Sequence, residues 1–354
     1  MIVRPGPGLR FTQLHPLGWP QSPLDPGLVA AVVPLYRDRS VAVISFAEQL
    51  CVLRAERDEA VVAAAITGYV GAIATGDLSP VHPVRPGPVC TYLQSRRMIR
   101  LDTEQRTHRE TRLLRGEDIA QFGMWVDAEE RRVAVQVEDT SHYDEGGRVI
   151  CRVDVFDVHS EPRAIGGREL PALRAPGFGW AAGGEVVAIV MASGLAVFDA
   201  DLQPIEGHPL TLAARRILAE VGATEVQALR VHPTRPLAVL SVCVAENGGL
   251  CSYETYRVSW SDGSPEVRAL AGFSAIDGLT FGAFAPDSEL LDVRAATCGA
   301  TRLVVFDEAG GVVHDLGIAR SLQGACWSTG PLRYLAFDRA TQEILIWPAP
   351  GGRA

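Results

Sequence analysis

Two residue types are almost missing from this sequence of 354 residues. It contains no lysine, since all 33 basic residues are arginine, and Asn247 is the only asparagine. Both residue types use AT-rich codons, so a high-GC bacterial genome accounts for the two absences together. Long apolar runs are also missing, because no stretch approaches the ~20 residues that cross a bilayer. The N-terminus lacks the basic and then apolar layout of a secretory signal, and we expect a cytoplasmic protein.

Cysteine motifs are absent as well. The seven cysteines form no Cys-x-x-Cys pair, and most of them lie within or beside apolar stretches. This pattern is typical of buried free thiols. One alternative stays open, because Cys243 and Cys251 would face each other across a hairpin. A disulfide between them would need an oxidising compartment.

The histidines and the net charge limit the possible ligands. The eight histidines form no His-x-x-x-His pair, so we expect no metal and no cofactor. A weaker alternative is a cation site in which His142 joins Asp139, Asp144 and Glu145. The formal net charge of -9 repels polyanions, which argues against nucleic acid or an anionic membrane as the main partner.

A tripeptide recurs along the chain and indicates its organisation. Val155-Phe156-Asp157 returns as Val197-Phe198-Asp199 and as Val305-Phe306-Asp307, each time at the end of a β-branched, strand-like run. Looser copies are Leu53-Arg54, Leu101-Asp102, Trp260-Ser261 and Trp347-Pro348. The copies lie 41 to 62 residues apart, and a period of this size predicts one four-stranded sheet per repeat.

A second marker lies upstream of the first one in the repeats. The residues that carry it are Trp125, Trp180, His232, Phe284 and Trp327. Each ends a short apolar run and is followed by a turn and another apolar strand. The two markers alternate in strict order, which predicts that the upstream marker ends the first strand of a sheet and the tripeptide ends the third.

Two segments resemble known repeats. His232-Pro233-Thr234-Arg235-Pro236-Leu237-Ala238-Val239 looks like the inner hairpin of a WD40 repeat. Phe284-Ala285-Pro286-Asp287-Ser288 resembles the Ser-Pro-Asp-Gly turn of TolB-type propellers, and the Phe-Asp pairs stand where WD40 repeats carry Trp-Asp. The resemblance covers most of residues 27 to 348 and implies a β-propeller. No Trp-Asp dipeptide occurs and Gly207-His208 is the only Gly-His pair, so an incomplete Asp-His-Ser/Thr-Trp network is implied.

We therefore predict an all-β fold, a seven-bladed β-propeller closed by pairing the N-terminal strand with the last blade. The last repeat supplies only three strands, and a strand near Leu9 would complete it and remove the exposed sheet edges. The predicted division is 1–26 for the segment with the closing strand, 27–348 for the propeller with a helical insertion near 211–222, and 349–354 for a flexible tail.

Two local features depart from the repeat. The segment 77–88 holds four prolines, which predicts a surface loop. The segment from Leu212 to Val221 predicts a helix with Thr211 as its N-cap and Gly222 as its stop. The apolar side chains of this helix share one face, so we expect it to pack on the rim.

No catalytic motif stands out. Ser193 lacks the preceding glycine of a nucleophile elbow, and a single asparagine disfavours a lactonase-like ligand set. We interpret the protein as a non-enzymatic protein–protein interaction platform, a subunit or adaptor of a bacterial signalling, defence or secretion assembly. The alternative is a hydrolase- or lactonase-type enzyme, or a small-molecule sensor, with its site in the central channel.

Two long loops are the candidate contact surface. They cover residues 138–147 and 245–254, join second to third strands, and should emerge on the same face of the ring. Tyrosine with mixed acids and flexible glycines suits protein recognition, although drift in loop length without a function explains such loops equally well. The candidate protein-binding residues are His142, Tyr143, Asp144, Glu145, Asn247 and Tyr253.

Overall fold

A computed structural model describes the chain in segments. It describes the backbone of residues 9–10, 32–34, 41–46, 49–56, 59–66, 79–81, 89–94, 97–102, 107–113, 119–126, 131–143, 149–158, 163–170, 173–180, 185–190, 194–232, 234–247, 250–270, 272–275, 278–284, 291–297, 300–306, 312–320, 322–327, 333–338 and 343–348. Side-chain surroundings are described for part of these segments, most continuously between residues 194 and 275.

These segments are almost entirely strands. The strands are β1 (Leu9–Arg10), β2 (Val32–Pro34), β3 (Val41–Phe46), β4 (Gln49–Glu56), β5 (Glu59–Ile66), β6 (Ser79–Val81), β7 (Val89–Gln94), β8 (Arg97–Asp102), β9 (Thr107–Arg112), β10 (Ile119–Val126), β11 (Arg132–Tyr143), β12 (Val149–Asp157), β13 (Arg163–Leu170), β14 (Leu173–Trp180), β15 (Val186–Val190), β16 (Gly194–Phe198), β17 (Val226–Val231), β18 (Leu237–Asn247), β19 (Leu250–Ser259), β20 (Glu266–Ala269), β21 (Phe273–Ala275), β22 (Gly278–Phe284), β23 (Leu291–Thr297), β24 (Ala300–Phe306), β25 (Val312–Arg320), β26 (Leu322–Trp327), β27 (Arg333–Asp338) and β28 (Glu343–Pro348). One helix, α1 (Pro209–Val221), lies between β16 and β17.

The described strands form six sheets, and neighbours along the chain pair antiparallel. The orders are β6-β7-β8-β9, β10-β11-β12-β13, β14-β15-β16, β17-β18-β19-β20 with β21 also on β19, and β22-β23-β24-β25. The sixth sheet has eight strands, β2-β3-β4-β5-β1-β28-β27-β26. In it β1 pairs antiparallel with β28 and parallel with β5.

The first strands of successive groups lie against each other. β6 contacts β10, β10 contacts β14, β14 contacts β17, β17 contacts β22, β22 contacts β26, and β26 contacts β2. Each of these strands begins a run of antiparallel neighbours. The groups therefore stand side by side in chain order, with their first strands on the shared side.

The two sequence markers fall at the strands that they predict. The tripeptide marker belongs to third strands: Leu53 in β4, Leu101 in β8, Phe156 in β12, Phe198 in β16, Phe306 in β24, Trp347 in β28, and Trp260 directly after β19. The upstream marker belongs to first strands: Trp125 in β10, Trp180 in β14, His232 directly after β17, Phe284 in β22 and Trp327 in β26. The predicted alternation of the markers is confirmed.

The sequence predicted a surface loop for the proline-rich segment 77–88, but part of the segment is a strand. Its residues Ser79–Val81 form β6, in which Pro80 lies opposite Tyr92. β6 ends its sheet and has a hydrogen-bonded neighbour on one side. Proline lacks an N–H group, and a strand with one neighbour tolerates this loss where a central strand does not.

The helix begins three residues earlier than predicted. His208 caps it in place of Thr211, because its Nδ1 accepts a hydrogen bond from the backbone N–H of Leu210 at 3.2 Å. Pro209 follows at the first helical position, where its missing N–H has no partner to lose. The predicted stop is confirmed, since Gly222 takes the left-handed conformation with φ 70°. Among the described residues α1 is the only helix, and it is neither long nor apolar enough to span a membrane.

Two clusters of buried side chains cover the two faces of the sheet β17–β20. The first core cluster joins this sheet to β16 and α1: Leu195, Val197, Leu210, Ala213, Ala214, Ile217, Leu218, Val226, Leu229, Val231, Ala238, Leu240, Val242, Val258 and Trp260. The second core cluster joins it to β21 and to the next sheet: Ala228, Leu237, Val239, Tyr253, Phe273, Ala275, Leu279, Phe281, Phe284, Leu291, Val293, Val304 and Phe306. The sheet is thereby held on both sides.

Candidate protein-binding hairpin

The hairpin of β18 and β19 extends past the strands that flank it. The pairing of β17 with β18 ends at Val226 opposite Val242, whereas β18 continues to Asn247. On the other side, β20 pairs with β19 only from Tyr256 to Ser259. We call the described residues 243–247 and 250–253 the hairpin end.

β21 holds the hairpin end in place. It pairs antiparallel with β19 and sets Tyr253 opposite Phe273 and Cys251 opposite Ala275. The side chains of Tyr253, Phe273 and Ala275 are buried, with 8%, 7% and 0% of their surface exposed. A projecting hairpin without such support would be only marginally ordered, so this third strand gives the hairpin end a defined position.

The outermost described side chains of the hairpin end are exposed. Leu250 keeps 39% of its surface exposed, and Ala245 and Glu246 are exposed as well. A register shift between Cys243 and Ala245 makes a β-bulge here, and bulges re-aim side chains and bend the strand that carries them. The hairpin end therefore exposes an apolar side chain, Leu250, on one face and an acid, Glu246, on the other, since Glu246 is opposite Cys251 and Leu250 is opposite Asn247.

Further along β19 the exposed surface is also acidic. Glu254 is exposed, and its carboxylate accepts a hydrogen bond from the Tyr256 hydroxyl. Burial, this hydrogen bond and the carboxylate charges of Glu254 and Glu220 raise the pKa of Tyr256. The tyrosine therefore stays neutral, and the negative charge of this surface lies on the glutamates.

The hairpin of β11 and β12 extends in a similar way. The pairing of β10 with β11 ends at Ile119 opposite Asp139, whereas β11 continues to Tyr143, opposite Val149. The register between β11 and β12 is irregular between Asp139 and Tyr143.

Both segments that the sequence predicts as long loops are therefore largely strand. Strands that extend past a core have water on their faces, so they lack the apolar alternation by which strands are recognised. A strand segment with polar residues and a Gly-Gly pair then has the composition of a loop.

The structure describes the six candidate residues to different extents. His142 and Tyr143 are the last residues of β11 and Asn247 is the last of β18, while their side chains lie outside the described set. Asp144 and Glu145 lie outside the described residues. The sequence predicted that Tyr253 lies in a loop, but it is a buried residue of β19. Its ring is apolar enough to pack with the second core cluster.

Leu250 was not among the residues that the sequence predicted for the contact surface. The signal was present, because an apolar residue directly after Gly248 and Gly249 interrupts a polar segment. No core position is available to a side chain at the tip of a projecting hairpin, so an apolar residue there stays in contact with water.

Several solved structures resemble this chain, although no protein-family model and no curated protein sequence matches it. The β-propeller domain of Myceliophteria thermophila Cps50 (Swd1) aligns with a TM-score of 0.56 and 14% identity, over 90% of this chain and 96% of that one. A chain of the mitotic checkpoint complex aligns with a TM-score of 0.52 and 11% identity, over 98% of this chain and 92% of that one. An oligogalacturonate lyase in complex with manganese aligns with a TM-score of 0.61 and 10% identity, over 92% of both chains.

The fold is a β-propeller. The resemblance to WD40 and TolB-like propellers that the sequence predicts is confirmed. Identities of 10% to 14% show the fold alone, so any function has to be argued from the residues of this chain.

One WD40-like contact is present in the propeller. His208 of the single Gly-His pair meets Trp260, which stands at a Trp-Asp position, with ring centroids 5.6 Å apart and planes at 73°. Burial lowers the pKa of His208, against the opposing charge of Glu185. The imidazole is thereby kept neutral, as its role of hydrogen-bond acceptor at the start of α1 requires.

The described side chains do not gather a metal site. Among them, no three histidine, cysteine, aspartate or glutamate residues lie close enough together to hold a cation. The alternative site around His142 falls on side chains outside the described set, and it stays a prediction.

Proposed function

We propose that this propeller is a non-enzymatic protein–protein interaction platform of the bacterial cytoplasm, an adaptor or subunit of a larger assembly. The hairpin end is its contact surface. The observation that carries the proposal is Leu250, an exposed apolar side chain at the tip of a hairpin that β21 supports.

The position of Leu250 suits an anchor residue. Burying a leucine side chain in a partner contributes on the order of 2 kcal/mol. Because β21 already orders the hairpin end, little conformational entropy remains to be lost when a partner binds. A flexible loop with the same side chain would lose part of this gain.

The charges around the anchor define the partner's chemistry. Glu254 is exposed on the same face of β19 as Leu250, and Glu246 is exposed on the other face of the hairpin. A partner that complements this surface has an apolar socket for the leucine and arginine or lysine side chains at its rim. Such charge complementarity mainly raises specificity and the association rate.

Paired variants test the proposal. Leu250→Ser removes the anchor, and Leu212→Ser, as the control, removes a leucine on α1 that is even more exposed, at 47% against 39%. Tagged wild-type and variant proteins are used to capture partners from lysate of the native organism, with quantitative mass spectrometry as the readout. We expect a stoichiometric partner that Leu250→Ser loses and Leu212→Ser keeps.

Two results would contradict the proposal that the hairpin end is the contact surface of a platform. One is a partner that both variants retain equally, which would place its contact elsewhere. The other is the absence of any specific partner from all three captures, which would favour a function centred on the channel.

An enzyme or a sensor with its site in the channel is the second candidate function, because an oligogalacturonate lyase is among the similar structures. A channel-centred enzyme or sensor would be stabilised by its ligand in proportion to ligand concentration. Thermal unfolding with manganese, with acidic oligosaccharides and with both separates this alternative from the platform. A rise in melting temperature that saturates with ligand would support the channel function.

We further propose that the propeller has seven blades and that β1 completes the last one. The support is that β1 pairs with β28 and also touches β5. Deleting residues 1–26 should then lower the stability of the whole ring, while deleting 349–354 should leave it unchanged. Denaturant unfolding of both truncated proteins measures this. Equal stability of the two would contradict closure by β1.

A further inference from the structure

Two cysteines lie together within the hairpin end. Cys243 is opposite Tyr253, and Cys251 is two residues before Tyr253 on the same strand. Opposed residues share a sheet face, as do residues two apart, so both thiols lie on one face. Both are free and partly exposed, and both pack at the margin of the second core cluster.

The two thiols interact directly. Burial raises the pKa of Cys243, and so do a hydrogen bond with the Cys251 side chain and the charge of that group. The Cys243 thiol also lies 3.5 Å from the carbonyl oxygen of Ala245, to which it donates. These effects favour the protonated thiol form of Cys243, which makes Cys251 the candidate for the first attack on an oxidant.

The bulge beside Cys243 supplies the freedom that a bond between the sulfurs needs. Diagonal neighbours on a regular ladder lie about 7–8 Å apart, whereas a disulfide needs Cα atoms about 4.4–6.8 Å apart. The register shift between Cys243 and Ala245 breaks the ladder at this point. A bulged strand bends more readily than a regular one, so β18 can approach Cys251 without breaking the pairing of Tyr253.

We propose that Cys243 and Cys251 are a redox-active pair, which a hydroperoxide oxidises to a disulfide across the β18–β19 hairpin. The Cys251 thiolate attacks the peroxide, the O–O bond breaks, and water or an alcohol leaves while Cys251 becomes a sulfenic acid. The Cys243 sulfur then attacks this sulfur, the S–S bond forms, and water leaves. The two sulfurs lose two electrons, which the peroxide gains, and both thiol protons end in the released products.

The disulfide would fix the hairpin end in a second arrangement. It would tie the bulged part of β18 to β19 by a covalent bond, where the reduced hairpin has the ladder hydrogen bonds and the contact between the two thiols. Pair formation does not depend on partner binding, because it follows from the positions of the two thiols alone.

Hydrogen peroxide, applied to the full-length folded protein, is the probe. We expect two of the seven thiols to stop reacting with a thiol reagent, and peptide mapping to join the peptides of Cys243 and Cys251. The protein should become lighter by two hydrogen atoms, and dithiothreitol should reverse the change. Cys151→Ser, in β12, is the control and should still form the disulfide.

Single variants identify the order of the steps. Cys243→Ser should stop at a sulfenic acid on Cys251 that dimedone traps, and no linked peptide should appear. The proposal is overturned if mapping of oxidised wild-type protein shows both sulfurs free, joined to other cysteines, or individually oxidised to sulfinic acid. Mapping of the wild type decides this even where a variant fails to fold.

Discussion

The two faces of the sheet β17–β20 are packed by different neighbours with different side chains. The face toward β16 and α1 is packed mainly by aliphatic side chains, such as Leu210, Ile217 and Leu240. The opposite face meets the next sheet with aromatic rings, among them Phe273 and Phe306. One sheet therefore serves two interfaces of different chemistry.

The period of the strand explains how β18 serves both faces. Ala238, Leu240 and Val242 belong to the first core cluster, and Leu237 and Val239 to the second. Successive side chains point to opposite faces, so a continuous apolar run is what a strand between two interfaces requires.

The difference between the faces also concerns what covers them. After β16 the chain forms α1, whereas the groups that begin with β2, β6, β10, β17 and β22 each add a fourth strand. An amphipathic helix covers a sheet face with a stripe of small and branched side chains. At the neighbouring sheet the buried area comes largely from aromatic rings, each of which buries more surface than a small or branched side chain.

The largest expected effect comes from the aromatic face. Phe306 is 2% exposed and meets Phe273 edge to face, with ring centroids 5.7 Å apart. Phe306→Ala should lower the free energy of unfolding by about 3–5 kcal/mol, since it leaves a cavity in a packed interface. Arg302→Ala, on the same strand, breaks an exposed ion pair with Asp315 and should cost at most about 1 kcal/mol. Denaturant unfolding measures both, and similar losses would contradict this account of the face.

The aliphatic face should be slightly less sensitive. Ile217 is 1% exposed on the inner side of α1, and Ile217→Ala should cost about 2–5 kcal/mol. Leu212, exposed on the same helix, is the matched control, and Leu212→Ala should change the stability by less than about 0.5 kcal/mol. If both variants unfold at the same denaturant concentration as wild type, α1 does not contribute to the first core cluster.

The end of α1 should show a smaller effect of backbone conformation. Gly222 has φ 70° and no atom within 4 Å of the place where a Cβ would stand. Gly222→Ala should therefore cost about 1 kcal/mol through the left-handed conformation alone. Gly166 in β13 also has open space but no positive φ, so Gly166→Ala should not destabilise. Equal losses in thermal unfolding would exclude conformation as the cause.

The start of α1 should add a weak dependence on pH. Burial lowers the pKa of His208 in the folded protein, so its contribution to stability is fully present above about pH 6.5, the ordinary value for histidine. That contribution is lost as the pH falls through the lower folded pKa, because protonation removes the acceptor for the Leu210 N–H. His208→Asn keeps a capping acceptor that does not titrate. Between pH 7 and pH 5 the free energy of unfolding should fall more for the wild type than for this variant. Parallel curves of unfolding free energy against pH would contradict the role of His208 as a neutral cap.

Most of the strand arrangement could be predicted, because apolar residues recur along the sequence once in each group of strands. The Phe-Asp tripeptides end third strands, and their rings are buried there, as Phe156, Phe198 and Phe306 show. The start of α1 was not predictable in the same way. A neutral histidine as N-cap depends on its burial beside Trp260, and burial is a tertiary property.

The secondary structure of the two candidate contact segments was not predictable from the sequence. The segments 138–147 and 245–254 do extend beyond their neighbours, yet both are largely strand. Tyr253 was misjudged, because the pairing of β21 with β19 that buries it joins residues 22 positions apart at their centres, Ser252 and Ser274. Local composition carries no information about such a pairing.

Photo-crosslinking tests the role of the hairpin end most directly. A photoreactive phenylalanine analogue is introduced at Leu250 in one protein and at Leu212 in another, and each is irradiated in lysate of the native organism. The account predicts one discrete adduct to a protein with a basic surface from position 250, and no such adduct from position 212. The same adduct from both positions, or from 212 alone, would contradict the hairpin end as the contact surface.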